Sequence, residues 1–407
     1  MATRYLADSL EDLAFSGGKM AFISGPRQVG KTTLAKLLLK ERGAGAYFNW
    51  DETEFRRIWV KHPKEAIPAF AGKTKPILIL DEIHKAKLWK RTLKGMYDTA
   101  DPPIDFLVTG SARLNVYKKG SDSLLGRYLH FRLHPFSLRE MSHGKAIPSD
   151  TLVQAVRERI LEPKKEWGEA LAALVRFGGF PEPLFAQDER RARLWRRGRT
   201  EKVIREDLRD LSRIPELSRI EMLASLLPEK VGSLFSIASL QSFLEVSHET
   251  VKRWTLFLQE LYYLFEIKPF QGSMPRSLKK EGKIYLWDPA EVPEKSARFE
   301  NLVACHLLKS CDFWTDGGEG DFRLQFLRNK EKQEIDFLIV RDGAPWMAVE
   351  VKLGDAEISP NWKRFLPHLG DILAVQLTAM PGQWKWIEAG GRKVLLASAQ
   401  DFLAYLV

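Results

Sequence analysis

Apolar and polar positions change rhythm along the chain. Up to about residue 143, short apolar runs alternate with stretches of helical period: Ala21–Ser24, Ala46–Trp50, Ile77–Leu80 and Ile104–Thr109 are the runs, and Thr32–Lys40 is such a stretch. Strands separated by helices predict a parallel sheet in a doubly wound α/β layer. Residues 144–200 read as mostly helical, with a break at Phe177-Gly178-Gly179-Phe180-Pro181. Residues 201–272 hold two more candidate helices, Ser236–Leu244 and Ser247–Leu264. In the second, Val251, Trp254, Leu258 and Leu261 form one apolar stripe, and Ser247 is placed to cap it. From 273 to 407 the pattern turns to period two, as in Phe322-Arg-Leu-Gln-Phe and Trp346-Met-Ala-Val-Glu-Val-Lys, which predicts a separate α/β domain.

The first polar interruption of this pattern carries chemistry. Gly25-Pro26-Arg27-Gln28-Val29-Gly30-Lys31-Thr32 fits G-x-x-x-x-G-K-[ST], followed by Thr33, between an apolar strand and a helix. Glycines let backbone N–H groups wrap phosphates, and the helix N-terminus adds positive potential. Lys31 would reach the β- and γ-phosphates of a nucleotide, and Thr32 would coordinate Mg²⁺. The run Ile77-Leu-Ile-Leu ends in Asp81-Glu82. Asp81 would join the Mg²⁺ shell, and Glu82 would polarise the attacking water. His84 reads as a surface or loop histidine. Thr109 or Ser111, at the tip of the next strand, would hydrogen-bond the γ-phosphate or the water. Arg127, after Gly126, would neutralise transition-state charge in its own chain or across a subunit interface.

Taken together, Gly25–Thr32, Leu80-Asp81-Glu82-Ile83, Thr109-Gly110-Ser111, Leu125-Gly126-Arg127 and Gly178-Gly179-Phe180-Pro181 resemble the prokaryotic AAA-type ATPases that carry a C-terminal DUF4143 domain. The likeness spans nearly the whole chain. It implies an AAA-type core over 1–143, a helical lid over 144–200, a winged-helix segment over 201–272 and a nuclease-like α/β domain over 273–407. It also implies ATP with Mg²⁺ as the nucleotide and a homo-oligomer, often a ring of six.

Charge bears on the partner. The 407 residues carry a formal net charge of +10, which favours phosphate-rich partners such as DNA. Six arginines fall within 190–199. Of these, Arg190, Arg191, Arg193, Arg196 and Arg197 would contact backbone phosphates, unless they form a solvated helical face or dock against acids such as Glu201, Glu206 and Asp207. Lys252 and Arg253 lie on the face that a helix-turn-helix would turn toward a groove and that a packing module would leave to solvent. With only two cysteines, no uncharged apolar stretch of membrane-spanning length and no secretory h-region, the chain reads as cytoplasmic and not membrane-bound.

In the last domain, Asp336, Glu350 and Lys352, with Glu300 upstream, resemble a PD-(D/E)xK nuclease site, whose carboxylates would hold Mg²⁺. The pairing depends on the turn near Asp342-Gly343. A loop of three or five residues puts Asp336 opposite Glu350. A two-residue type I′ turn separates their faces. Pro345 argues against the tightest turn. Glu300 sits at the edge of a buried stripe, where it would point either into the site or into solvent. The function that follows is an ATP-hydrolysing protein that moves or remodels a DNA-bound assembly. The alternatives are a regulatory switch with slow ATP turnover and an ATP-regulated nuclease.

Overall fold

The computed structural model describes residues 4–68, 74–110, 124–207, 217–271, 281–354 and 357–407. These form two compact units that meet in sequence at Pro135–Phe136. The helical, winged-helix and nuclease-like segments expected at 144–200, 201–272 and 273–407 all fall in the second. Strands are numbered in chain order, as are helices of eight residues or more.

The first unit contains β1 (Met20–Ser24), β2 (Gly45–Asn49), β3 (Ile77–Asp81), β4 (Asp105–Thr109) and β5 (Tyr128–Arg132). They form one parallel sheet in the order β2-β3-β4-β1-β5. β1, β3 and β4 are buried along their whole length, as continuous apolar runs in a parallel sheet should be. Helices α1 (Lys31–Arg42), α2 (Thr53–Lys61) and α3 (Trp89–Asp98) connect the strands. One core face is built from Phe22, Leu78, Leu80, Phe106 and Val108 of the sheet, with Phe55, Trp59, Trp89 and Leu93 of the helices.

The second unit begins with helices α4 (Ser149–Glu158), α5 (Lys165–Phe177), α6 (Glu189–Lys202), α7 (Leu217–Leu226), α8 (Ile237–Leu244) and α9 (His248–Glu260). In α9 the expected stripe is buried at Val251, Trp254 and Leu258, and the Ser247 hydroxyl accepts from the Thr250 N–H at 3.1 Å. An antiparallel hairpin of β6 (Leu264–Pro269) and β7 (Lys283–Leu286) follows. Then come α10 (Lys295–Asp316), β8 (Phe322–Arg328), β9 (Glu334–Arg341), β10 (Ala344–Lys352), β11 (Leu373–Thr378), β12 (Trp384–Ala389) and β13 (Arg392–Ser398). The sheet order β12-β13-β11-β10-β9-β8-β6-β7 joins the hairpin to the C-terminal strands, with β7 at the edge.

The Gly178-Gly179-Phe180-Pro181 break is an interlock. Gly178 ends α5 at φ +75°, and a Cβ there would meet Asp288 Oδ1 at 2.0 Å. That carboxylate, wholly buried, receives Arg196 Nε at 2.8 Å. Gly179 accepts from the Phe136 N–H at 2.7 Å.

A buried polar cluster ties α10 to the turn Leu138–Met141. Leu138 N–H donates to His306 Nε2 at 3.0 Å, and the other ring nitrogen lies 2.8 Å from the Leu302 carbonyl. Lys309 reaches Ser137 Oγ at 3.0 Å and pairs with Glu140. Burial, reinforced by the Lys309 charge, depresses the His306 pKa from 6.5 to about 4. The unfolded chain therefore binds a proton in that interval that the fold refuses. This contribution to stability is complete above pH 6.5 and is lost as pH falls toward 4. His306→Gln, which keeps an acceptor there, should flatten that part of the pH dependence of thermal unfolding. An unchanged difference between wild type and variant across the interval would show that His306 does not titrate as described.

Candidate nucleotide site

The carboxyl ends of β1, β3 and β4 lie level, with Asp81 beside Thr109 and Thr109 beside Ile23. In open parallel sheets this edge is where ligands bind. The loop after β1 needs its glycines for two different reasons. At Gly25, φ is +153° and a Cβ would sit 2.3 Å from the Leu133 carbonyl oxygen. At Gly30, φ is +101° immediately before α1. Gln28 also takes positive φ, at 61°. Lys31 is buried and turns back on the loop, donating to the Gly25 carbonyl at 2.9 Å and the Pro26 carbonyl at 2.7 Å. Thr33 follows on the first turn of α1.

Asp81 collects the polar groups of this edge. Thr32 Oγ1 donates to its Oδ2 at 2.7 Å, Tyr47 OH donates to the same oxygen at 2.8 Å, and Thr109 Oγ1 donates to Oδ1. Thr32 and Asp81, hydrogen-bonded to each other, thus stand side by side where Mg²⁺ is expected. A magnesium that keeps water and phosphate ligands needs only one or two protein oxygens, so this pair fits it. Tyr47 was hidden from sequence reading because it sits in an apolar run. The register Tyr47 with Ile79 and Asn49 with Asp81 brings its hydroxyl in.

Glu82 stands just beyond, in a left-handed conformation at φ 58°, a cost of about 1 kcal/mol for a residue with a Cβ. Its N–H donates to the Thr109 carbonyl at 2.9 Å. Burial raises its carboxyl pKa, and the Lys31 and Lys85 charges pull it back down. His84, expected at the surface, is buried, with Nε2 3.6 Å from Glu82 Oε2. Its turn, Ile83–Lys85, folds inward because Ile83 joins the core. Ser111 lies outside the described residues.

Arg127 is elsewhere. It precedes β5, and β5 runs parallel to β1 with Tyr128 beside Met20. It therefore lies at the amino edge of the sheet, roughly 15 Å of strand away from the phosphate loop. Its guanidinium pairs with Asp98 at 2.8 and 3.1 Å. A role on its own chain's nucleotide is excluded by this topology.

In the second unit, β9 and β10 are joined by the two-residue turn Asp342-Gly343, both at positive φ (51° and 85°) as a type I′ turn requires. That turn should have put Asp336 and Glu350 on opposite faces. A bulge between Pro345 and Met347 prevents it, because Pro345 pairs with Val340 while Met347 pairs with Ile339. Trp346, the inserted residue, is anchored by ring contacts to Trp314 (5.3 Å) and Phe322 (5.4 Å). The slip of one restores the shared face. Val351 N–H donates to Asp336 Oδ2 at 2.8 Å, and Asp336 N–H to Glu350 Oε2 at 3.3 Å. Lys352 pairs with Glu350 at 2.8 Å. Glu300 points inward, accepting from Tyr285 OH at 2.7 Å. Burial pushes Glu300 and Glu350 up to about 7, with the Asp336 charge adding to both.

Sequence reading missed Lys283, on β7, which lies 2.7 Å from Glu334 and 3.9 Å from both Glu300 and Asp336. Burial alone would lower its pKa, but these three carboxylates outweigh that and raise it. Among the described residues no three His, Cys, Asp or Glu side chains are placed to hold a metal ion. Asp336 and Glu350, the carboxylates expected to hold Mg²⁺, share a face, with Lys352 on Glu350 and Lys283 3.9 Å from Asp336.

On α6, Arg190, Arg191, Arg193 and Arg197 are exposed, whereas Arg196 is committed to Asp288. Lys252 and Arg253 are exposed on α9. Among the described residues, no helix is long and apolar enough to cross a membrane.

The sheet order and the loop geometry define a P-loop protein with an AAA core. Family models agree in detail: an AAA domain matches 17–142, a domain of unknown function (DUF8612) matches 168–292, and the DUF4143 domain matches 295–376. The chain thus carries an AAA domain followed by a DUF4143 domain. An uncharacterised protein of Mycobacterium tuberculosis is 24% identical over 270 residues, 66% of this chain and 54% of its own length. The chain thus spans about half of that relative. An uncharacterised protein of Haemophilus influenzae is 22% identical over 343 residues, 78% of each chain. Among solved structures, the Walker-type ATPase PABY2304 of Pyrococcus abyssi aligns with TM-score 0.43 at 16% identity, covering 73% of this chain and 94% of its own. The Orc1 protein of Aeropyrum pernix in complex with DNA aligns at TM-score 0.32 and 15% identity, covering 74% and 89%.

Proposed function

We propose that this chain hydrolyses ATP and uses the turnover to move or remodel an assembly on DNA. The observation that carries the ATPase reading is the Thr32–Asp81 pair at 2.7 Å, set between Lys31 and Glu82 at the N-terminus of α1. On nucleotide binding, Lys31 would leave the Gly25 and Pro26 carbonyls for the β- and γ-phosphates. The N–H groups at the start of α1 would receive phosphate oxygens. Thr32 and Asp81 would hold Mg²⁺, which neutralises phosphate charge when bound. Glu82 would take the proton of the attacking water. Thr109 orients Asp81.

DNA as the partner rests on the net charge of +10 and on exposed Arg190, Arg191, Arg193, Arg197, Lys252 and Arg253. A cytoplasmic homo-oligomer, with six subunits in a ring, would let Arg127 release Asp98 and complete a neighbour's site. ATP turnover should rise when duplex or single-stranded DNA is added. Slow turnover that ignores both, with nucleotide retained, would favour the switch reading instead. Mixing Arg127→Ala with Lys31→Ala subunits should recover part of the activity each lacks. Failure of every mixture, in a protein that stays monomeric with ATP, would remove the role across subunits.

A further inference from the structure

We propose that the Lys283 ammonium stands where a divalent cation would sit among Glu300, Glu334 and Asp336, so that the C-terminal domain neither binds metal there nor cuts DNA. The inference does not depend on the ATPase reading.

Geometry carries it. The Lys283 side chain is 2% exposed and its Nζ touches or approaches three carboxylates, Glu300 of α10 and Glu334 and Asp336 of β9. It cannot easily swing out. Its backbone is held by pairing with Ile267 on β6 and by a bridge to Leu234 on the other side. Its stem runs along Phe326, with Nζ 5.5 Å from the ring centroid.

Charge balance agrees. Four acids gather here, Glu300, Glu334, Asp336 and Glu350. Three cations answer them: Lys283, Arg328 on Glu334 at 2.5 Å, and Lys352 on Glu350 at 2.8 Å. Little negative potential remains to draw a dication out of water against its hydration. Glu300 is further occupied by the Tyr285 hydroxyl. It is also closely covered by Gly232, where a Cβ would lie 3.1 Å from its Oε1. The arrangement keeps the acids a metal would use but satisfies them internally. It also couples the edge strand β7 to the centre of the sheet by charge as well as by backbone pairing.

The test uses the full chain, free of nucleotide, titrated with Mn²⁺ and followed by electron paramagnetic resonance. Wild type and Asp336→Asn should bind Mn²⁺ alike, and neither should nick supercoiled plasmid. Lys283→Met should gain one Mn²⁺ site that the added Asp336→Asn change removes. Its thermal midpoint should fall by several degrees and recover when Mn²⁺ is added. Wild-type Mn²⁺ binding or nicking that disappears in Asp336→Asn would overturn the proposal. So would a folded Lys283→Met that gains no site. Should Lys283→Met not fold, the comparison of wild type with Asp336→Asn still decides.

Discussion

Glu82→Gln is expected to bind ATP as wild type does and to hydrolyse it about 10²- to 10⁴-fold more slowly, the span that a positioned general base usually contributes. The amide keeps the size of the side chain and cannot take a proton. The left-handed backbone at Glu82 is unaffected, because the change lies beyond Cβ. Lys31→Ala should behave differently and lose nucleotide binding itself, since the charge aimed at the β- and γ-phosphates is gone. Equilibrium binding of a fluorescent ATP analogue and release of inorganic phosphate separate the two variants. Wild-type turnover in Glu82→Gln would move the water-activating role to another group.

The second large effect concerns DNA and salt. Each phosphate contact contributes about −0.9 to the slope of log K against log salt concentration. Replacing Arg190, Arg191, Arg193 and Arg197 with glutamine should flatten that slope by up to about 3.6. Affinity at low salt should fall on the order of 10²-fold, equally for all sequences. Lys252→Ala and Arg253→Ala should alter sequence preference as well, if α9 enters a groove. Arg196→Ala provides the contrast. It strands the buried Asp288 carboxylate, so it should cost about 3 kcal/mol of stability while leaving the salt slope alone. Fluorescence anisotropy over a range of salt, with thermal unfolding of each variant, measures both. A slope unchanged in the quadruple variant would take DNA off this face.

The phosphate loop, Asp81-Glu82 and the parallel strands of the first unit were legible in the sequence because their determinants are local. The glycine spacing, a strand of continuous apolar residues and a helix start lie within a few residues of one another. The stripe and cap of α9 were legible for the same reason. Arg127 was not, because its distance from the phosphate loop depends on which end of a parallel strand it occupies. Five arginines of one helix looked equivalent, and only the packing of Asp288 against Gly178 set Arg196 apart. The Asp336–Glu350 pairing turned on a single residue of register. The turn residues pointed to separated faces, and Trp346, held by two aromatic rings distant in sequence, reversed the outcome. Lys283 carried no local signal at all. Its role arises because β7 joins, through β6, the edge of a sheet whose strands β8 to β13 begin some forty residues later, which places one ammonium among carboxylates of α10 and β9. Motif and period are short-range and survive in one dimension. Register, strand polarity and charge pairing across elements are set by long-range packing, and only the folded chain decides them.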